Sequence, residues 1–178
     1  MKKIVIIGPE STGKSTLCEL LAKHYNVDWC PEYAREYLLK HGKNYSFDDL
    51  LAIAKGQAAL EDKYTEAPEK AVLFIDTDMY VMKVWSEFVF GKCHSWILKQ
   101  VAKRKYDLYL LCNTDLPWVQ DELREYPDPV SRNKLYMIYK DHMINQSVPW
   151  VEITGTPEDR LSKAITAVNK LLSETSNN

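Results

Sequence analysis

Lys14 and Ser15 close an eight-residue run, Gly8-Pro9-Glu10-Ser11-Thr12-Gly13-Lys14-Ser15, that fits the pattern G-x-x-x-x-G-K-[ST] in full. These residue types at this spacing suit one chemistry, gripping the polyphosphate of a nucleoside triphosphate. The glycines permit a tight loop whose backbone N–H groups converge on phosphate oxygens, and a helix opening at the loop's end adds a favourable dipole. Lys14 is expected to reach the β- and γ-phosphates and the Ser15 hydroxyl to ligate Mg²⁺. Gly8, Glu10, Ser11, Thr12, Gly13, Lys14, Ser15 and Thr16 are therefore the expected contacts to ATP.

Three further segments carry chemistry. "LFIDTD" ends an apolar run with Asp76 and Asp78, and the carboxyl edge of a parallel sheet is where ligands bind. Asp76 is expected to hold the Mg²⁺. Asp78 either grips a substrate hydroxyl or caps the helix that follows. "PEYAREY" sets Glu32 to accept a proton from an attacking hydroxyl and Arg35 to pair with phosphate or with that glutamate, the alternative being a solvated helix face. "DLPWVQDELREYPDPVSR" is proline-interrupted, charged and flanked by arginine, as expected of a lid over about 114–133. Arg124 and Arg132 could there neutralise charge on the transferring phosphoryl group and nucleotide, unless they are ordinary surface arginines. A closed lid would also keep water from the phosphate.

The acceptor is narrowed by what is missing. After Asp76 come Thr-Asp-Met, not a D-x-x-G switch, and Asn113 and Asp115 in "CNTDL" do not form N-K-x-D. Guanine reading and a GTPase switch are unsupported, as is the acidic pair of a motor or remodelling ATPase. A kinase for a small molecule fits best. A nucleotide sensor with slow hydrolysis is the alternative from another class, although a sensor needs no second hydroxyl site.

These residues require an alternating scaffold. Strands are expected over 3–7, 27–30, 71–76, 107–112 and 149–154, the last three from near-continuous apolar runs of the kind buried on both faces. A helix after the phosphate loop carries Leu17, Leu20, Leu21 and His24/Tyr25 at helical spacing. Others are expected from Pro31 to about 40 with Pro31 at the first helical position, from a Ser46/Asp49 capping box to about 64, ending near 104, over about 131–146, and from Thr156-Pro157 onward with Leu161, Ala164, Ile165, Val168 and Leu172 buried. This alternation predicts an α/β sandwich with a mainly parallel five-stranded sheet in a single domain, 1–178, with a frayed tail at about 173–178.

Composition agrees. The 178 residues carry a net charge of −2, which gives no electrostatic case for nucleic acid or an anionic membrane as the partner. Cys18, Cys30, Cys93 and Cys112 lack zinc-type spacing and read as free, mostly buried thiols. No run approaches the apolar length of a membrane span, so a cytoplasmic protein is expected. Oligomeric state is not legible.

"GPESTGKSTL", "PEYAREYL", "FIDTD" and "PWVQDELR", in this order, resemble the ribosylnicotinamide kinase domain of NadR-type NAD-biosynthesis proteins over about 3–172. The first motif is common to all phosphate-loop enzymes; the other three in combination are far more specific. The resemblance implies the strand order 2-3-1-4-5 of a three-layer phosphate-loop sandwich, and transfer from Mg²⁺-ATP to the 5′-hydroxyl of nicotinamide riboside. It implies Glu32 as base, Gln57 and Trp118 as substrate-side residues beside Arg35 and Asp78, and Gly155, Thr156 and Pro157 as contacts to the adenine. Pro31 and Glu122 depart from the family pattern, and another nucleoside is the alternative acceptor. No adenylyltransferase module fits before Lys3, so the mononucleotide is the expected product.

Overall fold

The computed structural model describes residues 1–66 and 70–176. Five strands form one parallel sheet: β1 (Lys2–Ile7), β2 (Trp29–Cys30), β3 (Val72–Asp76), β4 (Leu108–Cys112) and β5 (Trp150–Ile153). Their order is β2-β3-β1-β4-β5, as the resemblance implies. Seven helices connect and cover them: α1 (Lys14–Tyr25), α2 (Tyr33–His41), α3 (Phe47–Thr65), α4 (Met79–Phe90), α5 (Ser95–Lys103), α6 (Pro129–Ile144) and α7 (Pro157–Ser176).

Strand periodicity divides the core. In β1, Ile4 and Ile6 face α1 and α7, where they meet Leu17, Leu21, Ala164 and Val168. Val5 and Ile7 face the opposite way, onto Val84 of α4 and Leu135, Tyr139 and Met143 of α6. Side chains two apart share a face, so the apolar run Ile4–Ile7 serves two layers. A third cluster fixes α2, α3, α4 and α5 to one another through Leu38, Leu50, Ile53, Met82 and Ile97.

Register then delivers the chemistry to one edge. Ile6 pairs with Asp76 and Ile7 with Leu111, so the phosphate loop after β1 emerges beside the Asp76 end of β3 and between the ends of β3 and β4. Gly8 makes the exit possible. Its φ is +141°, and a Cβ there would lie 2.6 Å from the Cys112 carbonyl oxygen.

Several element ends differ from the sequence expectation. Pro31 and Glu32 stay extended and α2 starts at Tyr33, because the Gln57 side chain takes both the Tyr33 N–H and the Pro31 carbonyl. β2 begins only at Trp29, since the Val27 N–H is used to close α1 on the Ala22 carbonyl. The stretch before β4 is two helices, parted where Gly91 ends α4. α6 starts at Pro129, capped by Asp128, so the segment expected as a lid over about 114–133 is irregular chain only as far as 128. α7 continues through Ser176 where a frayed tail was expected, with Leu171 and Leu172 still packed on the core; residues 177 and 178 lie outside those described.

Candidate active site

A cavity of about 320 Å³ opens at the carboxyl edge of the sheet. One half is the whole phosphate loop with Thr16; the other is Leu38, Tyr45, Val81, Trp85, Phe88, Leu135 and Tyr139. Glu32 and Arg35 form the side wall, and lid residues 121–126 the roof.

The phosphate loop is held by its own polar groups. The Thr12 hydroxyl donates to the Pro9 carbonyl at 2.7 Å, and Lys14 Nζ donates to the same oxygen at 3.0 Å. Lys14 therefore lies back along the loop, as it must for its ammonium to meet phosphates cradled there. Ser15 Oγ donates to Asp76 Oδ2 at 2.5 Å. The other carboxylate oxygen, Asp76 Oδ1, is buried with no hydrogen-bond partner among the described residues. Burial above all, then the negative Glu32, raises the Asp76 carboxyl to about 6, although Lys14 and Ser15 pull it down. An orphaned carboxylate oxygen beside a Ser hydroxyl is what a hard cation that also binds phosphate oxygens and water would satisfy, so the donors fit Mg²⁺.

Glu32 sits at the N-cap of α2, across from Asp76, and its Oε1 accepts from the Thr77 hydroxyl at 3.4 Å. Thr77 itself has φ +76° and is 1 % exposed. A β-branched residue in that region is strained, and such strain concentrates at functional sites.

Contacts from the phosphate loop and the α2 side hold the segment 119–126 over the cavity. Glu10 accepts the N–H groups of Glu125 (2.8 Å) and Tyr126 (2.5 Å), and burial raises its carboxyl above the ordinary range. Ser11 Oγ accepts the Val119 N–H at 3.0 Å. Arg35 pairs with Asp121 at 3.1 Å. Tyr45 donates to Glu125 and receives the Trp85 indole N–H, both at 2.8 Å, so one hydroxyl joins the aromatic wall to the roof.

Some expected site residues lie elsewhere. Asp78 is 1 % exposed and caps α4: Oδ1 accepts from the Tyr80 and Val81 N–H groups and Oδ2 from the Tyr109 hydroxyl. It contributes nothing to the cavity wall, and the cap is the reading that fits. Gln57, also 1 % exposed, lies beneath the site, its amide spent on Tyr33, Pro31, Cys30 and the Asp76 carbonyl. It does not line the cavity, and its amide holds the chain beneath it. Trp118 packs at the lid hinge under Arg124 and Arg132. Arg132 is 7 % exposed and donates to the Ser11 and Leu116 carbonyls, so it ties the lid's base to the phosphate loop and does not face the cavity. Arg124 does line it, held by the Val119 carbonyl. Gly155, Thr156 and Pro157 form the β5–α7 turn outside the cavity, with Thr156 and Asp159 in a reciprocal cap.

Tyr45, Trp85, Phe88 and Tyr139 were missed by sequence reasoning. Aromatic residues on apolar helices look the same whether they fill a core or line a cavity, and no local signal separates the two. Arg160, buried at 4 %, was missed as well.

Fold and loop together define a phosphate-loop nucleotide-binding domain. Residues 3–160 match the family described as an AAA domain, and the chain belongs to that family. It is 27 % identical over 179 aligned residues to the trifunctional NAD biosynthesis/regulator protein NadR of Escherichia coli strain K12, which covers 98 % of this chain and 43 % of that protein. The chain thus spans less than half the length of this curated relative. Among solved structures, it superposes on a NadR protein in complex with NR at a TM-score of 0.80 and 23 % identity, over 97 % of this chain and 52 % of that one. A NadR protein in complex with NAD and AMP-PNP gives 0.75 and 24 %, over 96 % and 49 %. Among the described residues no helix is long and apolar enough to cross a membrane.

Proposed function

We propose that this chain is an ATP-dependent kinase that phosphorylates the 5′-hydroxyl of nicotinamide riboside to give nicotinamide mononucleotide. The observation that carries this reading is the shape of the cavity, where a phosphate loop and the Glu32 carboxylate share a single chamber whose far half is aromatic. A hydrolase or sensor needs the first half alone; a transferase needs room for an acceptor. The NadR relative supports the choice of acceptor, as does the NadR structure with NR.

In this reading the loop N–H groups and Lys14 hold the triphosphate. Ser15 and Asp76 hold Mg²⁺, which when bound neutralises charge shared between the phosphates. Glu32 accepts the proton of the attacking hydroxyl, and its placement at a helix start points it into the chamber. Arg124, on the roof, meets charge on the transferring group. The carboxylates of Glu32 and Glu125 beside Tyr45 and Trp85 make a setting for a cationic aromatic ring, which a pyridinium is. Gly155, Thr156 and Pro157 flank the adenine. Trp118 and Arg132 serve by fixing the lid, and Arg35 by drawing it to α2. Its four free cysteines and its donor suit the cytoplasm, and a net charge of −2 favours a small-molecule partner over nucleic acid.

The test is ADP release with Mg²⁺-ATP across nicotinamide riboside, cytidine, uridine, adenosine, thymidine and no acceptor. Turnover favouring nicotinamide riboside, with the mononucleotide as product, is expected. Turnover on another nucleoside overturns the acceptor and keeps the chemistry; ADP release that no nucleoside stimulates overturns the kinase.

A further inference from the structure

Arg160 has no part in the phosphoryl-transfer scheme, yet it is a charged side chain 4 % exposed at the start of α7. Its guanidinium donates to main-chain carbonyls on three separate segments. Nη1 reaches Thr12 in the phosphate loop at 2.9 Å, Nη2 reaches Asn113 just past β4 at 2.9 Å, and Nε reaches Gly155 in the β5–α7 turn at 3.0 Å. The Asp115 carboxylate completes the set: Oδ1 accepts from Nη2, and Oδ2 accepts the Gly155 N–H at 2.7 Å. Burying a charge is costly unless it is paired and fully hydrogen-bonded, and the fixed fork of an arginine can meet three carbonyls and a carboxylate at once where an ammonium cannot. This is more than packing requires. An apolar side chain would cover the same surface but would not tie the Thr12 carbonyl to that of Gly155.

We propose that Arg160 is a positioning residue that locks the β5–α7 turn to the phosphate loop and so sets the distance between the subsites for the base and for the phosphates of one nucleotide. The proposal rests on the reading of Gly155, Thr156 and Pro157 as the base-side turn. Two subsites held at a fixed separation let a single rigid ligand use both without ordering either on arrival. Without the clamp the phosphate loop keeps its own bonds, from Thr12 Oγ1 to Pro9 and from the Leu17 N–H to Gly13. Grip on phosphates should therefore persist while the gain from the base is lost.

The test is calorimetric titration of the intact chain with ATP and with inorganic tripolyphosphate, each with Mg²⁺, for the wild type, Arg160→Ala, Arg160→Lys and Asp115→Asn. ATP is expected to bind the wild type more tightly than tripolyphosphate does. Losing bonds to a charged donor should weaken ATP by about tenfold or more in Arg160→Ala and leave tripolyphosphate nearly unchanged. Arg160→Lys should not restore ATP affinity, and Asp115→Asn should shift it the same way. Parallel weakening of both ligands, or no change in either, overturns the clamp. Should Arg160→Ala fail to fold, the other two variants carry the same comparison. A wild type that gains nothing from the adenosine moiety overturns the base-side reading and the clamp with it, and shows this before any variant is compared.

Discussion

Two carboxylates near enough to feel each other's charge lie at the ligand edge of the sheet, one buried and one in the cavity wall, and their surroundings give them different work. Asp76 is walled in, bonded to Ser15 and short of one partner, which suits a cation ligand. Glu32 lines the open chamber and among the described residues accepts from the Thr77 hydroxyl alone, at 3.4 Å, which leaves it able to take a proton. Glu32→Gln should therefore cut kcat by about 10²–10⁴-fold, the usual worth of a placed base, and leave ATP affinity intact. Steady-state kinetics with a parallel ATP titration separates the two. If kcat holds, the base lies elsewhere. The place of Glu32 in the cavity wall was legible because an acid just past a strand end lies at the ligand edge of a parallel sheet. Gln57 misled for the opposite reason: an amide satisfies a buried turn as readily as it reads a substrate, and only its four partners in the structure distinguish the cases.

At the scale of elements, most strands and the capping box at Ser46 were legible, since continuous apolar runs and cap chemistry are local. The entry to α2 was not, because it is set by a residue 26 positions away along the chain, Gln57 on the Pro31 carbonyl. α3 fixes that entry a second time through Gly56, where a Cβ would fall 2.0 Å from Tyr33 Cε1. Gly56→Ala must push the ring, and with it the first turn of α2 behind Glu32. A loss of about 1–3 kcal/mol is expected from such overpacking, read as a lower thermal midpoint, with a raised KM for the acceptor. An unchanged midpoint would mean that Tyr33 has another place to go. The lid offers a separate test. Glu10 receives two of its N–H groups across from the phosphate loop, so Glu10→Ala should loosen the roof and admit water. Acceptor-independent ATP hydrolysis should rise relative to transfer in that variant; a fall in both by the same factor would assign Glu10 to ATP binding instead.

The whole molecule carries an electrostatic cost at the junction of β3 and α4. Burial raises the Asp78 carboxyl to about 7, against the lowering effect of its bonds from Tyr109, Val81 and Tyr80. A carboxyl whose value is raised by folding favours the folded state when protonated. That contribution is complete below the unfolded value near 4 and is lost as pH rises through about 7. Asp76 behaves in the same direction up to about 6, so the chain without nucleotide should lose thermal stability between pH 5 and pH 8. Asp78→Asn isolates one part of this. The amide oxygen can still cap α4, and the amide N–H can donate to the Tyr109 hydroxyl in place of accepting from it. Asp76 is common to both proteins and cancels in their difference. The thermal midpoint of the wild type minus that of Asp78→Asn should therefore become more negative as pH rises from 5, most steeply between about pH 5 and 6.5 where only the folded state holds the proton, and level off above about 7. A difference that is flat with pH would show that Asp78 is ionised throughout, and that its three donors outweigh its burial.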